Sequence, residues 1–517
     1  MNRVGFARVF THSARRLRLG WLIATPLLAL SFVATAHATV QCVSANGKVP
    51  KATAKSFSCG ATVYTTIGDA VAAASAGDTV FVLNGTYSEM VTIPAALTGL
   101  VLEGQAGTCP PGGCPPSLRR AGALGAKKTI INAGLQSNGI LDQANSVTIT
   151  GFVVSGALYE GILVEGPQPT CTTASPPVCT PAGPPITNVT ISDNVVTGND
   201  AYAHGVSCGA SPDLEAGDCG EGLHLDGVAF STVVNNAVDN NSGGILVTDE
   251  TNASHDNLIL ANDVESNNRP GPIAVGPSPT DWALACGITL PSHAPQGSLA
   301  NVGAACFGVF HNTVAGNTSK GNSHGCGVGV FAPFPGSAAY GNVIAGNQLT
   351  DNGLPGVSFH SNAPTQNLSG STVIGNTIQG NGADPSPGVN ETNGPASTTG
   401  IEVYADLTAP PPDLWIEGNT ISGEANDIWV GAPNWNNCGS ATTPCYNVSA
   451  YLDILDGGNT AVTGVNNVGT STAVSVGAAD NYWGCTSGPG TAKGCSSAAG
   501  NVSTSPFLIV PDVGPFK

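Results

Sequence analysis

The sequence predicts an all-β chain wound as a single right-handed parallel β-helix with three strands per coil. A turn motif, a strand motif and the lack of any helical period predict it. The turn motif is N-x-[VLI]-x-x-N, found at Asn194 and Asn199 around Val196, Asn236 and Asn241 around Val238, and Asn262 and Asn267 around Val264. It recurs at Asn312 and Asn317 around Val314, Asn347 and Asn352 around Leu349, and Asn376 and Asn381 around Ile378. A degenerate seventh copy keeps Asn419 and Ile421 and has Glu424 where the second asparagine would fall. The strand motif frames each copy. A short β-branched run precedes it, as in Val189 to Ile191, and a Gly-rich step into [GP]-[IV]-x-V follows, as in GGILV, GPIAV, CGVGV, PGVSF and TGIEV. No α-helical period fits such short segments bounded by Gly, Asn and Pro.

Successive first asparagines lie 42, 26, 50, 35, 29 and 43 residues apart, so the strand triplet is constant while its connections grow, as solenoid insertions do. Asparagine suits a fixed turn position because it tolerates the left-handed conformation and its amide bonds to nearby backbone. Stacked turns then let each amide bond to the next coil, which satisfies polar groups that would otherwise be buried without partners. An Asn-rich low-complexity segment would not hold its apolar positions in register through six copies.

Taken in order, residues 1–38 read as an export signal: Arg15, Arg16 and Arg18 precede an apolar run from Leu19 to Val33, and Ala36-His37-Ala38 offers a small-x-small cleavage site. The run is too short for a stable membrane anchor, although an uncleaved anchor and a twin-arginine route are alternatives. The mature chain is therefore expected outside the cytoplasm, secreted, periplasmic or at the cell surface. A Cys-containing leader covers 39–61. The β-helix domain covers 62–508, opening with an amphipathic cap from Tyr64 to Ser75 that places Ile67, Val71 and Ala74 on one face over the first coil. Three Pro-rich inserts near 105–128, 166–185 and 277–305 read as loops and not strands. Tyr482 and Trp483 in DNYWGC close the far end, and 509–517 is a tail.

Charge excludes several functions. After the signal the chain keeps all 34 acidic residues and only 11 of its 16 basic ones, which disfavours nucleic acid and anionic membrane as partners. Between Thr129 and Ala492 the only basic residues besides histidine are Arg269 and Lys320, too few to grip a polyuronate or sulfated glycan. A bound Ca2+ could supply the missing charge through acidic turns; no metal ligands can be named. Two methionines, one of them Met1, argue against a methionine-rich copper shuttle. The 15 cysteines of an exported chain imply disulfides. Proximity pairs Cys42 with Cys59, Cys109 with Cys114, Cys171 with Cys179, Cys208 with Cys219, Cys438 with Cys445 and Cys485 with Cys495. Cys286, Cys306 and Cys326 remain, leaving one thiol over.

The TIGDAV...AGDTVFVLNGTYSE opening, the asparagine-flanked turns, and NYWG followed by SPFL at Ser505 to Leu508 resemble the secreted, pectate-lyase-like, right-handed parallel β-helix superfamily. The resemblance runs from about Thr62 to Leu508 and implies the fold and a carbohydrate partner. It does not imply a reaction, since that superfamily holds lyases, hydrolases, esterases, epimerases and noncatalytic adhesins. No catalytic motif of a subfamily is matched, so no residue role is carried over.

Aligning the [IV]-x-V strands puts alternate residues outside the barrel: Glu165, His224 with Asp226, Leu246 with Thr248, Ala274, Gly329 with Phe331, Ser358 with His360, Glu402 with Tyr404, and Trp429. The densest patch is CGEGLHLDG followed one coil later by TDE, so Glu221, His224, Asp226, Asp249 and Glu250 should converge. Asp226, Glu221, His224 and Glu250 are the catalytic candidates, with carboxylates for acid/base work and a histidine tuned by neighbouring charge. Asp249, Glu165, His360, Glu402, Tyr404, Trp429 and Phe331 are the substrate-binding candidates, the aromatic rings offering faces to sugars. Solvated acidic turns, and rings that merely cover the barrel, are the competing explanations. His204, His255, His311 and His324 lack ligand spacing and read as structural. The expected function is cleavage of a neutral or weakly acidic polysaccharide by a monomer. The alternative is a noncatalytic cell-surface or carbohydrate-binding solenoid.

Overall fold

A computed structural model describes residues 38–105, 128–171, 179–200, 220–267, 288–291, 307–323, 325–332, 338–361, 367–382, 398–405, 413–431, 447–451, 454–456, 463–468, 476–490, 492, 494–509 and 511. The segment expected to be an export signal lies outside them, as do the interior of the 105–128 insert and the cysteines at 109, 114, 208, 219, 286, 306, 438 and 445.

Parallel strands stack into sheets of 15, 12 and 11 strands whose neighbours come from successive coils. This is a parallel β-helix. The inward positions make continuous aliphatic columns. In the 15-stranded sheet Ile149, Ile191, Val233, Ile259, Val314, Ile344 and Val373 pair in sequence, and all are buried. Each such side chain contributes roughly 1.5 to 3 kcal/mol when withdrawn from water. A fourth sheet of five short strands, beginning at Ile186–Thr187 and ending at Ala339–Tyr340, adds a side to the middle coils. Three strands per coil therefore becomes four there.

The glycine that opens the [GP]-[IV]-x-V step is required by packing. A Cβ at Gly161 or Gly222 would lie 2.2 Å from the Cγ1 of Val196 or Val238 inside the barrel.

Asparagine does form ladders, three of them. In one, Asn194, Asn236, Asn262, Asn317, Asn347, Asn376 and Asn419 link in order. A second runs Asn199, Asn241, Asn267, Asn322, Asn352, Asn381 and Glu424, and a third runs Asn257, Asn312 and Asn342. At each rung one Oδ1 accepts both the backbone N–H and the Nδ2–H of the asparagine below, as Asn347 does from Asn317 at 2.9 and 3.0 Å.

Two expectations need correction. The fourth copy is not Asn312 to Asn317 but Asn317 to Asn322, around Ser319. Val314 belongs to the 15-stranded sheet, while Ser319 fills the buried column position between Val264 and Leu349. Ser319 hid the true copy because it is not apolar, and the third ladder supplied a decoy with the same spacing. Ladder spacings are thus 42, 26, 55, 30, 29 and 43 residues. The left-handed residue is also not the ladder asparagine but the one before it. Asp193, Asn235, Ala261, Gly316, Gly346 and Gly375 all have φ between 52° and 64°.

The solenoid starts earlier than Thr62. Val40–Val43 pairs with Thr79–Val82 and lies within the 15-stranded sheet, with a short helix, Lys51–Ser56, behind it. The cap helix Ile67–Ala73 buries Ile67, Ala70 and Val71; Ala74 ends it. Thr66 caps its first turn through Asp69, and the Glu89 carboxylate accepts from the backbone N–H groups of Ile67 and Gly68. At the far end Trp483 is fully buried against Gly464. The 277–305 segment is not wholly loop, since Ile288–Pro291 is a strand of the 12-stranded sheet. In the 166–185 insert, Thr170–Cys171 and Cys179–Thr180 pair antiparallel. Cys42–Cys59 and Cys485–Cys495 are disulfides, and Cys326 is disulfide-bonded.

Candidate active site

The outer face of the 12-stranded sheet carries the predicted row. Leu163, His224 and Leu246 pair across adjacent coils, as do Glu165, Asp226 and Thr248 two residues further along. The row continues through Thr289, Gly329, Ser358, Glu402 and Trp429. Thr289 takes the place expected for Ala274, which lies outside the described residues. GPIAV carries the strand pattern, but the strand at Ile288–Pro291 holds that register.

Asp226 ends the strand Glu221–Asp226. Its Oδ1 accepts from the backbone N–H of Glu250 at 2.8 Å and of Thr251 at 3.0 Å, and from the Thr248 hydroxyl at 3.3 Å. It therefore pins the turn that follows Gly243–Thr248, which is where Asp249 and Glu250 lie. Asp249 in turn accepts from the Gly308 N–H at 2.6 Å. His224 Nε2 stands 2.8 Å from Thr248 Oγ1, and its Nδ1 is 3.7 Å from Glu160 Oε1. His224, Asp226, Asp249 and Glu250 thus come together around one turn, whereas Glu221 begins the strand that Asp226 ends, roughly 16 Å away along the backbone. Every one of them is 4% exposed or less. Glu165 is only half-buried, at the open end of the row.

Glu160 was missed. It starts the strand Glu160–Glu165 and stands two residues before Ile162, as Glu221 stands before the paired Leu223. Its signal is the EG repeated in EGILV and EGLHL, one step before the apolar residue that sets the [IV]-x-V register.

Burial pushes the Glu160 carboxyl up to about 8, and the nearby Asp226 charge adds to the shift. Burial also raises Asp226, to about 6; the His224 charge and hydrogen bonds from Thr251 hold it down, and Glu165 pushes it up. Near neutral pH one acid of the cluster keeps its proton while another releases it. Among the described residues no group of three or more His, Cys, Asp or Glu is set to hold a metal ion.

In the second patch Phe331, Glu402 and Trp429 are buried. Phe331 is 1% exposed and clusters with Cys326 and Leu354, and Trp429 is 5% exposed. A Cβ at Gly329 or Gly431 would fall 2.1 Å from the Phe331 ring or 3.1 Å from the Trp429 ring, so each ring occupies the space beside a glycine. They cover barrel surface and offer no face to a sugar. Glu402 accepts from the Ser358 hydroxyl at 2.6 Å, and burial lifts its carboxyl to about 7. His360 and Tyr404 pair in the expected register, but their side chains lie outside the described residues. His255 stacks on Phe310, with ring centroids 4.9 Å apart, and His311 packs edge-on to Tyr340. His204 and His324 lie outside the described residues.

No protein-family model and no curated protein sequence matches the chain. Solved structures match at low identity. The A-module of an Azotobacter vinelandii mannuronan C-5 epimerase is 14% identical with a TM-score of 0.36, over 86% of this chain and 92% of that one. The catalytic domain of a GH87 α-1,3-glucanase is 13% identical with a TM-score of 0.42, over 85% of this chain and 66% of that one. A polygalacturonase from Erwinia carotovora ssp. carotovora is 11% identical with a TM-score of 0.36, over 92% of this chain and 96% of that one. Likeness at this level says nothing about reaction, and the fold assignment rests on the sheets themselves.

Proposed function

We propose that the chain is an exported protein that cleaves a neutral or weakly acidic polysaccharide by carboxylate acid/base chemistry, with Asp226 exchanging the proton and Glu221 or Glu250 as the second carboxylate. One observation carries this reading. Acids and a histidine from three adjacent coils converge on one outer sheet face, and Asp226 there has its carboxyl raised to about 6, a range suited to proton transfer near neutrality. The substrate class follows from charge. Of the two basic residues between Thr129 and Ala492, Lys320 lies on the 11-stranded sheet and Arg269 lies outside the described residues. The described part of the row therefore has no cation for a polyanion. Disulfides at both ends of the solenoid accord with export, and no helix among the described residues is long and apolar enough to cross a membrane.

Burial of the whole cluster favours a second reading, a noncatalytic carbohydrate-binding solenoid whose acids are structural. Product release from a panel of neutral and acidic polysaccharides separates the two, with absorbance recorded for unsaturated uronides. Asp226→Asn is the variant to compare, because Asp226→Ala would also strip the acceptor from the Glu250 and Thr251 N–H groups. Reducing ends that vanish in Asp226→Asn support hydrolysis, and an absorbance rise moves the reading to a lyase. Binding without product from any glycan supports the noncatalytic solenoid.

A further inference from the structure

Four side chains from three successive coils form one line across the sheet. Glu160 Oε1 is 3.7 Å from His224 Nδ1, His224 Nε2 is 2.8 Å from Thr248 Oγ1, and Thr248 Oγ1 is 3.3 Å from Asp226 Oδ1. We propose that Glu160 is the proton reservoir of Asp226, connected to it through His224 and Thr248. This rests on the reading of Asp226 as the proton-exchanging group, and it adds a residue outside that reading.

The hydroxyl fixes the direction of the line. Thr248 has one hydrogen, donated to Asp226, so its oxygen must accept from His224. That assigns the neutral imidazole its hydrogen on Nε2 and turns the Nδ1 lone pair toward Glu160. The transfer then balances without any other reactant. The Glu160 carboxyl proton passes to Nδ1 of His224, the Nε2 hydrogen passes to Thr248 Oγ1, and the Thr248 hydrogen passes to Asp226 Oδ1. The outcome is an ionised Glu160, a protonated Asp226 and an imidazole in its other tautomer, and the reverse sequence restores the start. The 3.7 Å step is longer than a hydrogen bond, and the Glu160 carboxyl must close it by about 0.7 Å to reach the usual range.

Glu160 keeps its proton to about 8 and Asp226 releases its own near 6, so the resting proton sits on Glu160, and its passage to Asp226 is uphill by about 100-fold and is drawn on only after Asp226 has given its own proton up. The other ionisable groups on these strands and the ones packed against them, among the described residues, are Asp142 on the strand paired with the Glu160 strand, Glu165 on the Glu160 strand, Glu221 on the His224 strand, and Asp249 and Glu250 beyond Thr248. All are acids, and their negative charge favours a proton retained on the line.

The test is an imidazole 15N titration from pH 5 to 9 on the full chain, with the His224 signals assigned by His224→Gln. Wild type should show the Nε2–H tautomer, one step near pH 6 and one near pH 8. Glu160→Gln should lose the upper step. Thr248→Val should lose the lower one, and Thr248→Ser should restore it. An Nδ1–H tautomer, or an upper step that survives in Glu160→Gln, overturns the relay. Should Glu160→Gln not fold, the Thr248 pair decides, because a lower step unmoved in Thr248→Val also overturns it. Failure of the functional reading looks different. The titration would behave as described while no polysaccharide is cleaved, whereas cleavage with an unchanged pH profile in Thr248→Val would sink the relay and leave the site standing.

Discussion

Glu424 sits where the second ladder should end in asparagine, and replacing it with glutamine tests how that ladder depends on protonation. Its Oε1 accepts the backbone N–H of Asn381 at 3.2 Å and the Nδ2–H at 3.1 Å. Oε2 is buried and has no hydrogen-bond partner among the described residues. Burial raises the carboxyl from 4.5 to about 7, against the opposing hydrogen bonds from Asn381. The native fold therefore holds a proton over a window in which the unfolded chain has released it, so stability falls as pH rises from about 4.5 to 7 and is flat above. At roughly 1.4 kcal/mol per pH unit the loss is about 3 kcal/mol. Glutamine keeps the acceptor and cannot ionise, while its buried amide nitrogen costs about 1 kcal/mol at every pH. A solenoid can open coil by coil, so the local readout is amide hydrogen exchange at Asn381, corrected for the intrinsic rate. Between pH 4.5 and 8 wild-type protection should drop about 100-fold, and Glu424→Gln should hold nearly constant. Parallel pH profiles in the two proteins would refute the reasoning.

Asp142, Glu160 and Glu402 are buried acids raised in the same direction, to about 7, 8 and 7. Wild type should accordingly melt at a higher temperature at pH 5 than at pH 8, and a higher midpoint at pH 8 would show that these acids are ionised in the fold. Asn347→Ala leaves the Asn317 N–H and Nδ2–H without their acceptor and removes the donor to Val314; it should destabilise by roughly 3 to 5 kcal/mol in urea unfolding. Gly222→Ala would place a methyl 2.2 Å from Val238 Cγ1 and 3.0 Å from the Gly244 carbonyl. It should cost about 3 kcal/mol or more, whereas Gly134→Ala, with open space around its Cβ, should lose only what its left-handed φ of 62° imposes, about 1 kcal/mol.

Local periodicity made the coil readable. Val196, Val238, Val264, Leu349, Ile378 and Ile421 lie in one inward column, as their place between asparagines implied. The convergence of His224 and Asp226 with Thr248 and Glu250 was legible too, because two strands with the same glycine step stack in register. Glu160 was not, since its importance lies in a histidine 64 positions later in the chain. Nor was the closure over Phe331 and Trp429. Outward alternation says only that a ring leaves the barrel; that Phe331 then packs with Cys326 and with Leu354 of the next coil is decided by the stacking of coils.

That this chain winds as stacked β-coils, with asparagine at the turns and aliphatic side chains inside, is written in its residues, because turn geometry and strand alternation are set by neighbours a few positions apart. Which asparagine bonds to which, the place of Ser319 in an aliphatic column and the pairing of Ile288–Pro291 within the 12-stranded sheet emerge only when the coils stack. The connections are too long for anything local to fix them. Rungs of one ladder lie 26 to 55 residues apart, and three ladders repeat the same five-residue spacing along the chain. Residue types therefore announce a rung without naming its partner; stacking assigns the partner by making every buried amide and column position fit at once.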